Sequence, residues 1–198
     1  MSARWFIGDL HFGHERVSEI RGFTSTDEHD TAIIKDWCAS VRDDDTVFVL
    51  GDLCGGSAHS TERALTLMAS LPGVKHLIAG NHDAVSSVHR DGWKHQRRYL
   101  NVFESVRDFG RIRSLGMGVL MSHYPYPATG DGPERAVARY MEYRLPDTGL
   151  PLIHAHTHQS EPVSANPREL CVSWDAWRRM VGQKDIDTWL TAVKEATK

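Results

Sequence analysis

Residues 46–52 read TVFVLGD: an apolar, β-branched run from Thr46 to Leu50 that stops at Gly51 and Asp52. So short a run bounded by glycine suits a strand rather than a helix. Glycine permits a sharp exit, which leaves the aspartate at the strand's carboxyl end. The same pattern recurs on both sides of this stretch. KHLIA over 75–79 ends at Gly80-Asn81-His82-Asp83, and the run from Arg4 to Ile7 ends at Gly8-Asp9-Leu10-His11. GVLM over 118–121 ends at Ser122-His123, and Leu152-Ile153 leads into His154-Ala155-His156-Thr157-His158. Ligands of open α/β sheets gather beyond strand carboxyl ends, so one site can collect all five clusters.

Helical patterns lie between the first strands. Asp27 to Val41 places Ala32, Ile33, Ile34, Trp37 and Val41 close to helical spacing, and Thr61 to Leu71 repeats this before Pro72-Gly73. Strands alternating with helices imply an α/β fold. Val102 to Phe109, Arg111 to Leu115 and Leu170 to Ser173 read as further strands, which implies a second sheet packed on the first. Asp185 to Glu195 reads as a closing helix. Gly130 to Pro146 reads as an excursion with a short helix from Glu134 to Tyr143, placed to be a lid, a substrate wall or an ordinary surface insertion. With no repeat or low-complexity linker, the expectation is a single domain over residues 1–198.

Composition narrows the function. The 198 residues are 40% hydrophobic and carry a formal net charge of -3. That balance gives no electrostatic footprint for stable binding to long nucleic acid. Cys38, Cys54 and Cys171 are odd in number and show no CxxC spacing, which speaks against a disulfide framework or a thiolate zinc knuckle. Reduced thiols, no signal-peptide pattern at Met1–Asp9 and no membrane-length apolar stretch make the cytoplasm the expected location.

The polar clusters have residue types that bind cations. Asp9 and His11 leave a strand at alternate positions and can point to one side. The Asp52 carboxylate has two oxygens and can bridge two cations roughly 3.5–4 Å apart. Asn81 offers a neutral carbonyl oxygen to a hard or borderline ion. His82, next along, should point differently, toward a substrate. Histidines at 154, 156 and 158 alternate along a strand and its exit, a spacing that favours metal binding.

Taken in order, Asp9-x-His11, Gly51-Asp52, Gly80-Asn81-His82-Asp83, His123 and His156-x-His158 resemble the calcineurin-like metallophosphoesterase superfamily. Its pattern is DxH, GD, GNH(D/E), H and GHxH. Ala155 departs from it, standing where the family usually has glycine, and only a modest backbone change is expected. The stretch GDLHFGH over 8–14 and VSWDAW over 172–177 look like the small single-domain members of bacteria and bacteriophages. The GDxxDRG segment of protein serine/threonine phosphatases is absent, since 51–56 read GDLCGG.

The resemblance implies a four-layer α/β/β/α sandwich of two packed mixed β-sheets flanked by helices. It also implies two divalent metal ions. Asp9, His11 and His158 would hold the first, and Asn81, His123 and His156 the second, with Asp52 bridging. Such N/O ligands suit Mn or Fe, with Zn, Co and Ni also compatible. A hydroxide between the metals would attack phosphorus in line, and His82 would donate a proton to the leaving oxygen or hold the phosphate. His14, Asn81 and His82 are the expected substrate contacts. Asp83 is placed either to orient His82 or to stabilise its turn. His154 is not assigned as a ligand, and Cys54 reads as small filling.

The expected substrate is a small phosphate ester, with a nucleotide favoured. With no arginine near Gly55 to clamp a dianion, a diester is favoured: 2′,3′- or 3′,5′-cyclic nucleotides, other small diesters or oligonucleotide ends. Arg16, Arg21 and Arg135 are the arginines that could restore a clamp and with it monoester hydrolysis. A nuclease of the same superfamily is a further alternative. A non-catalytic scaffold is the alternative of another class, countered by the complete ligand set. An amidohydrolase would place HxH early and aspartate late, the reverse of the order here.

Overall fold

The computed structural model describes residues 2–131 and 137–196. Its first sheet has five strands in the order β4-β3-β2-β1-β9: β1 (Arg4–Ile7), β2 (Thr46–Val49), β3 (Val74–Ile78), β4 (Ser105–Arg107) and β9 (Val181–Gly182). The first four are parallel and β9 is antiparallel at the edge. The second sheet has the order β5-β6-β7-β8: β5 (Phe109–Ser114), β6 (Met117–Ser122), β7 (Leu152–His154) and β8 (Glu169–Cys171). Here β5 and β6 form an antiparallel hairpin, and β6, β7 and β8 run parallel. Both sheets are therefore mixed, and helices flank them, as the resemblance implied.

Alternation along the strands builds two cores. Ile7, Val47, Val49 and Leu77 face one side and pack with helices α2 (Thr26–Ser40) and α3 (Ala58–Ser70). Phe6 and Ile78 face the other side and, with Leu50, meet Val119, Met121, Ile153 and Leu170 of the second sheet. Helix α6 (Gln183–Ala196) adds Ile186, Trp189, Leu190 and Val193 to that second cluster. Ser25 caps α2 by accepting from the Glu28 N–H, and His29, Ile33 and Trp37 form its buried stripe at four-residue spacing. Ser57 caps α3, which ends just before Pro72-Gly73.

Two segments differ from expectation. Within Val102–Phe109 the strand residues are Ser105–Arg107 and Phe109, the latter opening β5, and residues 102–104 are not extended strand. A helix, α4 (Gln96–Leu100), precedes them, and the N–H groups of Val102 and Phe103 both donate to the Tyr99 carbonyl. Tyr99 and Phe103 are four apart and both buried, so the apolar period there is that of a helical turn. For the helix expected over 134–143, residues 132–136 lie outside the described residues. Among the described residues of that segment, Met141–Tyr143 forms a 3-10 turn and none is α-helical. The Arg144 guanidinium takes up the carbonyls of Pro125, Gly130 and Arg139, giving them partners that need no helix. No helix among the described residues is long and apolar enough to cross a membrane.

Candidate metal centre

The loops that follow β1, β2, β3, β6 and β7 converge, and their backbones are unusual. Asp9, His11, Asp52, His156 and His158 all have positive φ, between 48° and 70°. Each left-handed non-glycine residue costs about 1 kcal/mol or more, and such strain tends to collect at functional sites. Here it is held by loop-to-loop bonds. Asp9 N–H donates to Gly51 O at 3.0 Å and His11 N–H to Asp52 O at 2.9 Å. A Cβ on Gly80 would lie 2.7 Å from Asp52 N and 2.8 Å from His123 Cε1, so only glycine lets these loops touch.

Two groups of potential ligand atoms result: Asp9, His11 and His158, then Asp52, His123 and His156. Within the first, His11 Nε2 faces His158 Nε2 at 3.2 Å. Within the second, His156 Nδ1 faces His123 Nε2 at 3.2 Å. Ligands about 2.1 Å from one ion stand at about that separation from each other. Asp52 joins the groups, its Oδ2 lying 3.8 Å from His11 Nε2 and 3.5 Å from His123 Nε2. The contact to both sides is made by this one oxygen, because Oδ1 accepts from the His82 N–H at 2.8 Å. Asp9 Oδ1 and Asn81 Oδ1 are buried acceptors with no hydrogen-bond partner among the described residues. A buried orphan acceptor is costly in a dry site and satisfied by a cation. The residues present thus fit divalent metal ions.

Second partners set which nitrogen is free. His123 Nδ1 bonds to Leu50 O at 2.7 Å and His158 Nδ1 to Asp175 Oδ2 at 2.9 Å, leaving Nε2 of each for a cation. Burial opposes ionisation of Asp175, but hydrogen bonds from His158 and Arg21 outweigh it and hold the carboxyl well below the usual range. Burial pushes His156 down to about 3 and also lowers His11, so both imidazoles stay neutral, as ligands must.

Around these groups lies a cavity of about 790 Å³, lined by His11, His14, Asp52, Asn81, His82 and Arg139 among others. That volume accommodates a nucleotide-sized ligand. His82 sits edge-on to His11, with ring centroids 5.5 Å apart. His14 lines the cavity and also caps helix α1 (Glu15–Ile20), its Nδ1 accepting from Val17 N–H.

Residues 4–160 match the sequence model of the family described as Calcineurin-like phosphoesterase. The chain belongs to this family. The Gene 66 protein of Mycobacterium phage L5 is 40% identical over 196 residues, covering 94% of this chain and 93% of that protein. The Gene 66 protein of Mycobacterium phage D29 is 36% identical over 202 residues, covering 98% and 99% respectively. The fold is shared with a solved protein of unknown function from Aquifex aeolicus, at a TM-score of 0.68 and 23% identity over 95% of this chain and 99% of that one. As a calcineurin-like phosphoesterase with buried Asp/His clusters, the chain has the features of a metal-dependent phosphoric ester hydrolase.

Several family positions hold local surprises. Asp83 makes no bond to the His82 ring; it accepts from Asp52 N–H, Leu53 N–H and Gly80 N–H, fastening two loops together. Ala155 is accommodated because residue 8 is glycine: a Cβ there would lie 2.5 Å from the Ala155 Cβ. His154 is wholly buried and lies outside both ligand groups. Cys54 is buried and free. Arg21 is no clamp: it is buried, paired with Asp175, and donates to the Asp9 and Leu10 carbonyls. Arg16 is exposed and pairs with Glu19; Arg135 lies outside the described residues. Sequence reasoning missed Asp175, Asp131 and Arg139. Of these only Asp175 had a signal, inside the VSWDAW stretch.

Proposed function

We propose that this protein is a dinuclear metal-dependent phosphodiesterase acting on small diesters, with 2′,3′- or 3′,5′-cyclic nucleotides as the leading class. The observation that carries the reading is the position of Asp52 Oδ2, within 3.8 Å of a ring nitrogen in each ligand group. In this reading Asp9, His11 and His158 hold one ion, Asn81, His123 and His156 the other, and Asp52 both. Mn or Fe is the favoured pair, and the reduced thiols favour a cytoplasmic setting. Divalent ions held there supply Lewis acidity and lower the pKa of a water.

The chain's own groups do the rest. The His82 N–H donates to Asp52 Oδ1 and the residue lines the cavity, which supports a place for its ring beside a bound ester. As water adds to phosphorus and the bond to the leaving oxygen breaks, His82 gives that oxygen a proton. His14 contacts the substrate from the N-cap of α1. The 51–56 turn carries no arginine, and a Cβ on Gly55 would meet His14 Cδ2 at 2.9 Å, so the wall there offers an imidazole in place of a dianion clamp.

The test is hydrolysis of bis-aryl and mono-aryl phosphates and of cyclic nucleotides by metal-loaded protein. A clear advantage for the diester is expected, and an advantage for the monoester would refute that preference. His82→Ala should lower the rate about 10²–10⁴-fold on esters with poor leaving groups and far less on aryl esters. Full activity on poor leaving groups would remove the general-acid role.

A further inference from the structure

The excursion after His123 builds the cavity wall beside His156. Asp131 is its hub, with a side chain only 2% exposed. Its Oδ1 meets His156 Nε2 at 3.2 Å and also accepts from Arg144 Nη2. Its Oδ2 accepts from Arg139 Nε at 3.0 Å and from the Arg139 N–H at 3.3 Å. Arg144 is fully buried and donates its other N–H groups to the carbonyls of Pro125, Gly130 and Arg139. It is structural, fixing the backbone on both sides of the hub.

Arg139 is different. Its side chain is 44% exposed, it lines the cavity with His14, Asn81 and His82, and it lies over the Tyr140 ring at 5.3 Å. Only its Nε is engaged: its Nη groups make no hydrogen bond among the described residues. A guanidinium held at one end with a free fork at the other suits recognition of phosphate oxygens. Two guanidiniums and one carboxylate leave this wall one net positive charge. That charge matches a singly negative diester, and the buried carboxylate works against a second negative charge nearby.

We propose that Arg139 is the anion-recognising residue of the cavity, and that Asp131, by compensating its charge, is the positioning residue that sets the preference for monoanionic diesters over dianionic monoesters. The inference rests on the phosphodiesterase reading but is tested without turnover. Metal-loaded protein is titrated calorimetrically with dimethyl phosphate, a monoanion, and with inorganic phosphate at about pH 8, where it is a dianion. Arg139→Gln should weaken both by about tenfold. Asp131→Asn should tighten inorganic phosphate by about tenfold and leave dimethyl phosphate within about twofold. It should also keep the wild-type metal content, since an asparagine oxygen can still accept from His156. Unchanged binding in Arg139→Gln overturns the role of Arg139. Equal shifts for both anions, or metal loss, in Asp131→Asn overturns the role given to Asp131. A protein that shows this pattern yet hydrolyses no ester would refute the proposed activity alone; a hydrolase that lacks it would refute this inference alone.

Discussion

The two sheets contribute to the site in different ways. From the first sheet, Asp9, His11, Asp52 and Asn81 arrive within a few residues of the ends of β1, β2 and β3. Their loops are fastened to each other by backbone bonds and by Asp83. The second sheet supplies His123, His156 and His158, then surrounds them with Asp131, Arg139 and Arg144 from irregular segments and with Asp175 from the short helix α5 (Trp174–Trp177). The first half is a rigid frame made by strand ends. The second is a shaped wall made by side-chain ion pairs. The difference teaches that the frame is set by strand ends and backbone bonds, whereas the wall, which also carries three of the candidate ligands, depends on side-chain ion pairs, so the two halves should respond to different substitutions.

The largest effect should come where the halves meet. Asp52→Asn should lower activity by about 10³-fold or more, the scale of losing an interaction of about 4 kcal/mol with transition-state charge. Elemental analysis should show reduced metal content in the same variant; full content with full activity would break the idea of a shared hinge. Asp175→Ala should weaken metal binding about 10–100-fold, because His158 loses the carboxylate that fixes its tautomer and Arg21 is left buried without its partner. Unchanged affinity would mean that the wall does not support the ions.

The smallest effect on the chemistry should come from the far end of the first sheet. Asp45 accepts from Ala3 N–H, Arg42 N–H and the Trp5 indole. Those bonds, that from Ala3 foremost, hold its carboxyl below its ordinary value of 3.8. Its folded pKa is depressed, so its contribution is present above about pH 4 and lost as pH falls through the folded value. Asp45→Ala should cost about 2 kcal/mol at neutral pH, less in acid, with metal content unchanged. Denaturant titrations at several pH values would show whether the difference between variant and wild type shrinks as acid is added.

The same contrast explains what could be read from the sequence. Each candidate ligand of the first sheet sits next to its own strand, so GD and GNHD carry both the turn and the potential donor in a few letters. His156 and His158 are legible for the same reason. Asp131, Arg139 and Arg144 are separated by residues without period, and what unites them is a buried guanidinium choosing carbonyls. No spacing rule encodes that. Val102 and Phe103 misled in another way, since an apolar pair beside a strand can belong to a helical turn, here one that starts at Tyr99, four residues before Phe103.

The meeting of Gly8 with Ala155 has a consequence for how such a chain can drift. The two positions directly follow strands of different sheets and are far apart in sequence, yet they share a space with room for one methyl group. A side chain at either position makes the other's identity conditional. Exchange of alanine and glycine between them would have to pass through an intermediate that is either crowded or hollow. Residue 155 is thus less a relaxed version of a glycine than half of a two-letter word, and its spelling is legible only with residue 8 beside it.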